Sequence, residues 1–247
     1  MPKPGLKAPF LKRMSLRPER IDRAVFPFDT LRFVVEEFDV EFTAPITVLV
    51  GENGSGKSTL LEGLAIACGF NVFGGSQDHR SYAGGAEPAN ALGAALRLSW
   101  LPRVRNGFFL RAESFFQLAS HLDEVGNPAF HGGKRLHERS HGESFMAMFE
   151  HRLGAGRQAI YFMDEPEAAL SPQRQLAFLN LVREWRSAGT VQVVMATHSP
   201  ILMSLPGAEL LWLDEAGLRP IRADETPHWR IYKAFLSNPE RFFDEPK

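Results

Sequence analysis

The sequence predicts an α/β fold, a mainly parallel central sheet flanked by helices. Three observations predict it. The runs Ile46–Val50, Ala159–Met163 and Val191–Ala196 are short and apolar but for Thr47 and Gln192, as suits strands buried on both faces. Helix-patterned segments, Leu60–Ala67 and Pro172–Ser187, lie between them, and that alternation implies parallel strands joined by crossovers. Each run also ends in polar residues, Gly51, Asp164-Glu165 and Thr197-His198, at the sheet edge where open α/β folds bind ligands.

The elements follow in chain order. Residues 1–24 carry seven Lys or Arg (Lys3, Lys7, Lys12, Arg13, Arg17, Arg20, Arg23) against Glu19 and Asp22, and read as a solvated arm. Thr30 to Val50 alternates apolar and polar before turning continuously apolar, which predicts two antiparallel strands feeding a buried one. Gly69 to Asn90 is rich in Gly, Ser, Ala and Asn and reads as a loop. Ala91–Trp100 and Gly107–Ala112 read as strands, Ser114–Leu122 as a short helix, and Asp123–Lys134 as a second loop. Leu136–Leu153 is helical, with Phe145, Met148, Phe149 and Arg152 at i, i+3, i+4 and i+7 forming a stripe for the core. Ser171 caps the next helix, with Pro172 at its first position. Leu210–Leu213 and Leu218–Ile221 suggest an edge hairpin. Trp229, Tyr232, Phe235, Phe242 and Phe243 give the tail an apolar face expected to dock on the body. The domain reading is one unit: arm 1–24, first core half 25–68, lid region 69–157, second core half 158–225, and tail 226–247.

With 247 residues, 44% of them hydrophobic and 23% charged, the chain can bury a sizeable core. A net charge of -1 argues against a strongly basic nucleic-acid binder, although the basic arm leaves room for a local patch. Cys68 is the single cysteine, so no intrachain disulfide forms, which suits a reducing cytoplasm. No run approaches the ~20 apolar residues that span a bilayer, and none near the start has the length of a signal peptide. A soluble, cytoplasmic protein without membrane insertion is expected.

The chemistry starts at Gly51-Glu52-Asn53-Gly54-Ser55-Gly56-Lys57-Ser58-Thr59, which fits G-x-x-x-x-G-K-[ST] between a strand and a helix. The glycines let backbone N–H groups turn inward around a polyphosphate, and the helix N-terminus adds its dipole. Lys57 is expected on the β- and γ-phosphates and the Ser58 hydroxyl on Mg²⁺. Four apolar residues, Ile160 to Met163, then deliver Asp164 and Glu165 to the sheet edge. Asp164 is expected to hold the metal's water shell, and Glu165 to orient and polarise an attacking water. His198, after the next strand, reaches the same edge and is read as a γ-phosphate sensor.

His137-Glu138-Arg139-Ser140-His141 also matches H-E-x-x-H, a zinc signature. Gly142 follows at once and no third ligand lies at short spacing, so zinc is rejected. Shifting the frame gives Ser140-His141-Gly142-Glu143-Ser144, in which Ser140 and Glu143 make a capping box and Gly142 permits close approach of a phosphate.

In these motifs the chain resembles the ABC-type ATPases. Gly51–Thr59 is similar to the Walker A loop, Ile160–Glu165 to the Walker B strand with its glutamate, Ser140–Ser144 to the signature usually written L-S-G-G-Q, and His198 to the switch histidine. Asp-Glu-Pro-Glu-Ala-Ala-Leu-Ser-Pro and Ala-Thr-His-Ser-Pro are closest to the stand-alone branch near RecF, Rad50 and OLD-type ATPases. Only about 80 residues separate Ser58 from Ser140, as in a minimal head without coiled coil. The signature departs in having His141 where glycine is usual and Glu143 before Ser144, and Ser171 stands at the D-loop aspartate position. The resemblance implies a Q-loop metal contact from Glu113 or Gln117, adenine stacking by Phe26 or Phe28 unless these are core residues, and ATP and Mg²⁺ as substrate and cofactor. It implies a head-to-tail dimer in which Ser140 and Gly142 of one chain cover the γ-phosphate held by Lys57, Ser58, Glu165 and His198 of the other. Three roles stand open: a switch in DNA repair or defence against foreign DNA, with DNA or an effector protein as partner; an energy-coupling subunit of a membrane transporter; and a regulatory module with little turnover.

Overall fold

The computed structural model describes residues 5–35, 37–71, 75, 87–115, 119, 120, 123, 135, 138, 140–151 and 153–243. Its main sheet has six strands in the order β5 (Gly107–Arg111), β6 (Ala159–Asp164), β7 (Val191–Ala196), β3 (Ile46–Val50), β8 (Glu209–Asp214) and β9 (Gly217–Pro220). The first five run parallel, and β9 closes the edge as the antiparallel arm of a hairpin with β8. All residues of β3, β6 and β7 are buried, which explains why they are apolar except for Thr47, Asp164 and Gln192.

The two faces of this sheet build two cores. On one face Ile46, Val48 and Val50 pack with Phe145, Met148 and Phe149 of α3 (His141–His151) and with Phe178, Val182 and Trp185 of α4 (Pro172–Ala188). On the other, Leu49, Phe162 and Val194 pack with Leu60, Leu61 and Leu64 of α1 (Lys57–Ala67) and Leu92 of α2 (Glu87–Ala95). Gly63 and Gly93 let α1 and α2 close on each other: a Cβ on Gly63 would stand 3.0 Å from Leu92, and one on Gly93 3.0 Å from a carbonyl of α1.

A three-stranded antiparallel sheet, in the order β2 (Asp39–Glu41), β1 (Leu11–Leu16) and β4 (Leu96–Trp100), covers the second core. Its central strand corrects the expectation of a solvated arm. Leu11, Met14 and Leu16 are buried, while Arg13 faces out and pairs with Asp39. Gln192 of β7 locks the strand's entry, its side-chain oxygen accepting from the N–H groups of Phe10 and Leu11 at 2.8 Å each. The segment read as strand over 91–100 divides, helix to Ala95 and strand from Leu96. The segment before β3 yields one short strand, β2, rather than two.

The helix expected over 136–153 starts at His141. Arg152, the fourth residue of its expected stripe, lies outside the described residues, as do most of the loops expected at 69–90 and 123–134 and part of the helix expected at 114–122. Ser171 does cap α4, its hydroxyl accepting from the Arg174 N–H at 3.4 Å, and Gly189 ends that helix in the left-handed region. A one-turn helix, α5 (Pro200–Met203), follows β7. The tail forms α6 (Pro227–Ser237) and a 3-10 turn, Pro239–Phe242. Only its start is anchored. Thr226 is fully buried as the cap and Trp229 packs on the first core, whereas Ile231, Tyr232, Leu236 and Phe243 are exposed, so the expected apolar docking face does not dock.

Candidate functional site

The sheet order and register assemble the site. β6, β7 and β3 are neighbours, Asp164 stands opposite Ala196, and Ala196 opposite Leu49. The residues that follow these strand ends therefore converge on one edge, around a cavity of about 470 Å³. Thr30, Leu31, Asn53, Gly54, Gly56, Lys57, Ser58, Thr59, Glu165 and His198 line it.

The loop Gly51–Gly56 needs its glycines for different reasons. Gly54 (φ 78°) and Gly56 (φ 93°) occupy the left-handed region, where other residues are strained. A Cβ on Gly56 would meet the Phe33 ring at 2.5 Å, whereas one on Gly54 would meet nothing within 4 Å, so Gly54 bares its backbone to the cavity. Gly56 immediately precedes α1, so that helix's first N–H groups face the same space. Lys57 is 5% exposed. Its ammonium donates to the carbonyls of Gly51 and Glu52, at 2.9 Å each. An ammonium has three donors, so one remains for an acceptor in the cavity. Burial pulls the Lys57 pKa below its ordinary value, against Glu165 and Asp164, which raise it. The Ser55 hydroxyl is buried without a hydrogen-bond partner among the described residues.

Ser58 donates its hydroxyl to Asp164 Oδ1 at 3.1 Å, so the two residues expected at the metal are in contact. Burial pushes the Asp164 carboxyl up to about 7, although Ser58 and Arg111 pull the other way. Two oxygen donors side by side, one a buried carboxyl whose proton a cation would displace, suit a hard divalent ion that keeps water and phosphate oxygens as its other ligands. Glu113, expected as a third ligand, faces largely into solvent. Its side chain is 85% exposed and pairs with Arg111 at 3.3 Å. The alternative, Gln117, lies outside the described residues.

Glu165 is the one described non-glycine residue with positive φ (48°, ψ 52°). Its N–H is held on the Ala196 carbonyl at 3.0 Å. A left-handed glutamate costs about 1–3 kcal/mol and persists only where the surroundings impose it. Here the twist turns the chain off β6 and sets the carboxylate on the cavity wall, with Oε1 at 3.8 Å from His198 Nε2. His198 is fixed through its backbone. Glu167, half-buried, accepts from the N–H groups of His198 (2.6 Å) and Ser199 (3.1 Å). Burial, Lys57 and His228 together bring the His198 pKa down to about 4, so the ring is neutral at ordinary pH.

Sequence reasoning missed four residues. Glu167, two positions after Glu165, had a visible signal in the repeated acid of Asp-Glu-Pro-Glu. His228, whose Nε2 lies 3.0 Å from His198 Nδ1, sits in a tail without any motif. Arg111 and Glu62 (2.9 Å apart) charge the surroundings of Asp164 from positions that only the fold brings near. Of the two phenylalanines considered for adenine, Phe28 packs on the second core and Phe26 is 55% exposed, on the segment leading to Thr30 and Leu31 of the cavity wall.

Ser140, Gly142 and Glu143 form a separate group at the start of α3, outside this cavity's lining. The expected capping box is half made. Glu143 accepts both the Ser140 N–H (2.9 Å) and its hydroxyl (2.8 Å), so that hydroxyl donates rather than capping the helix. Arg174 of α4 lies alongside, 3.4 Å from both Glu143 and the Ser140 hydroxyl. Gly142 makes room for it: a Cβ there would stand 2.5 Å from the guanidinium. Ser140 holds the Glu143 carboxyl below its usual range.

Comparison with known proteins agrees with this geometry. Residues 28–95 match the family described as "AAA domain", and residues 144–204 the one described as "AAA domain, putative AbiEii toxin, Type IV TA system". The cytochrome c biogenesis ATP-binding export protein CcmA of Rhodospirillum rubrum is 32% identical over 193 residues, 71% of this chain and 77% of the relative. The thiamine import ATP-binding protein ThiQ of Mesorhizobium japonicum is 28% identical over 213 residues, 80% and 81% of the two chains. Among solved structures, the SMC head domain from Thermotoga maritima superposes with a TM-score of 0.48 at 16% identity, covering 86% of this chain and 99% of that one. With its loop, acid pair and histidine on one sheet edge, and relatives of this identity and coverage, the chain belongs to the ABC-type P-loop ATPases.

Proposed function

We propose that this ATPase binds Mg-ATP at the cavity edge and uses hydrolysis to open and close a head-to-tail dimer. One observation carries the reading: Lys57, Ser58, Glu165 and His198 line a single cavity, and Ser58 is hydrogen-bonded to Asp164 behind it. The loop N–H groups and Lys57 bind the phosphates. Ser58 and Asp164 would hold Mg²⁺, which would neutralise charge building up between the β- and γ-phosphates. Glu165 orients and polarises water for attack on the γ-phosphorus, and such a base is worth roughly 10²–10⁴-fold in rate. His198 presents its Nε2 face to the γ-phosphate. The helix start at Ser140, Gly142 and Glu143 lies outside this cavity, which suits a surface offered to the nucleotide of a second copy.

The biological reading we favour is a soluble cytoplasmic switch of the RecF, Rad50 and OLD-like branch, acting in DNA repair or defence with DNA or an effector protein. The Asp-Glu-Pro-Glu and Ala-Thr-His-Ser-Pro segments support it, as does the match of residues 144–204. A transporter energy-coupling subunit is the second reading, favoured by relatives whose names are import and export ATP-binding proteins. Among the described residues no helix is long and apolar enough to cross a membrane, so that role needs a separate membrane partner. Purifying the Glu165→Gln protein in Mg-ATP tests both. The switch reading expects an ATP-dependent dimer that captures DNA or a soluble protein. Capture of a membrane complex supports the transporter, and a mutant that stays monomeric at saturating ATP overturns the sandwich.

A further inference from the structure

His198 is usable on a γ-phosphate only if its Nε2 carries the proton, because a neutral imidazole has one donor and one acceptor nitrogen. The ring itself does not choose between them. The choice is made on the far side, where His198 Nδ1 lies 3.0 Å from Nε2 of His228 on α6, the rings 5.0 Å apart between centroids. One of those two nitrogens donates and the other accepts.

The second nitrogen of His228 breaks the symmetry. Its Nδ1 is buried and has no hydrogen-bond partner among the described residues. A proton there would be a buried donor with no acceptor, which costs about 1–3 kcal/mol, whereas a bare lone pair costs less. His228 therefore keeps its proton on Nε2 and gives it to Nδ1 of His198, and His198 must carry its own on Nε2. That nitrogen faces Glu165 Oε1, 3.8 Å away across the cavity. The acceptor is held still from its backbone by Glu167, and the donor by the buried cap Thr226, whose hydroxyl accepts from the Trp229 N–H at 3.2 Å.

We propose that His228 is a positioning residue for the ATPase site: it fixes the tautomer of His198, and so makes the C-terminal helix α6 part of the apparatus that recognises the γ-phosphate. The inference rests on the reading of His198 as the γ-phosphate contact, but its first test does not. In ¹⁵N-labelled protein without nucleotide, the ring nitrogens of His198, assigned by their loss in His198→Asn, report directly which one is protonated. Protonated Nε2 is expected, and protonated Nδ1 overturns the proposal whether or not the protein hydrolyses ATP.

Substitution supplies the functional arm. His228→Phe removes the donor, and His228→Glu puts an acceptor in its place and so demands a proton on Nδ1. Both are expected to lower kcat about 10-fold or more, the usual scale for partners that orient a functional histidine, with ATP affinity changed less than about 2-fold. His228→Gln, whose amide reaches the same point as a donor, is expected to recover most of that loss. A Glu variant as active as the Gln variant overturns the role of the donor. If His228→Phe fails to fold, the contrast between Gln and Glu still decides, since the two have nearly the same shape.

Discussion

The two places where this protein is expected to meet a nucleotide are built in opposite ways. At the sheet edge the polar groups are desolvated and incompletely answered. Asp164 is held up to about 7 by burial, His198 down to about 4, and the Ser55 hydroxyl has no partner among the described residues. At the start of α3 the groups answer one another. Glu143 takes both donors of Ser140, and Arg174 bridges them in a shell that is largely exposed. The difference teaches which one is prepared for a ligand before it arrives. The sheet edge keeps the cost of desolvation within the fold, ready to be relieved by a triphosphate and its cation. The helix start has no such store and must break contacts of its own to engage one.

The largest effect expected from this contrast is at Glu165. Glu165→Gln preserves the shape of a residue already held in the left-handed region and removes only its charge. Steady-state phosphate release is expected to fall by roughly 10²–10⁴-fold, while ATP binding measured by calorimetry persists. Light scattering is expected to show a dimer in Mg-ATP and a monomer without it. A full loss of ATP binding instead would mean that Glu165 supports the cavity rather than acting within it.

Next in size is Glu167, the half-buried carboxylate that fixes the backbone before and after the His198 peptide. Glu167→Ala strands the N–H of His198 and takes from the N–H of Ser199 one of its two acceptors, the other being the Thr197 hydroxyl at 3.0 Å. Charge-assisted hydrogen bonds of this kind are worth about 2 kcal/mol, so chemical denaturation is expected to show a loss of that order together with reduced kcat. Glu167→Gln keeps one acceptor and is expected to lose about half as much. An alanine variant of wild-type stability would show that the strand end holds His198 without it.

How much of this was legible follows the same division. Ile46–Val50, Asp164-Glu165 and His198 could be read because buried parallel strands leave a short, mostly apolar signature, and whatever follows them must reach the ligand edge. Strand β1 could not be read that way. Leu11, Met14 and Leu16 are interrupted by Lys12 and Arg13, and the register against β4 shifts between Leu11 and Arg13, so its burial has no period of two. The basic side chains suggested a solvated arm, but Lys12 and Arg13 belong to a strand, with Arg13 on its exposed side. Helix α2 was hidden by the apolar run that continues into β4, although Pro88 and the alanines after it fit a helix start. Tail aromatics at helical spacing suggested docking; spacing predicts a helix but not what covers it, and this face stays exposed. Glu113 was chosen by its place after β5, and position alone does not say which way a side chain turns. His228 had no sequence signal, because its role depends on a contact 30 residues away from His198.

A smaller effect, opposite in sign to the usual outcome of mutation, is expected at the helix start. Glu143→Gln keeps an oxygen to accept from Ser140 but removes a negative charge from the place where a second copy's triphosphate would approach. ATP-dependent dimerisation of the Glu165→Gln background is expected to tighten a few-fold, with Tm almost unchanged. Gly142→Ala is expected to act the other way, since its Cβ falls 2.5 Å from Arg174 and 3.1 Å from the Ala169 carbonyl. If Glu143→Gln weakens the dimer, Glu143 is itself a contact and the helix start is not an anion site.

The smallest effect separates the two regions by pH alone. His198 has a folded pKa of about 4 against an ordinary 6.5, so the unfolded chain takes up its proton first as the solution is acidified. Stability from this neutral ring is complete above about pH 6.5 and is lost as pH falls from there to about 4. Glu167, its carboxyl raised instead by desolvation, acts with the opposite sign, gaining stability on the acid side and losing it as pH rises. The two partly cancel in the protein itself but not in a difference. Tm of the nucleotide-free protein minus that of His198→Asn is expected to become more negative between pH 6.5 and 4, because the variant has no ring to protonate. Glu143, with its carboxyl below the usual range, contributes only below about 4.5, where protonation removes its hold on Ser140. A difference curve that is flat down to pH 4.5 would mean that His198 is solvated like the helix start, and the contrast between the two regions would be lost with it.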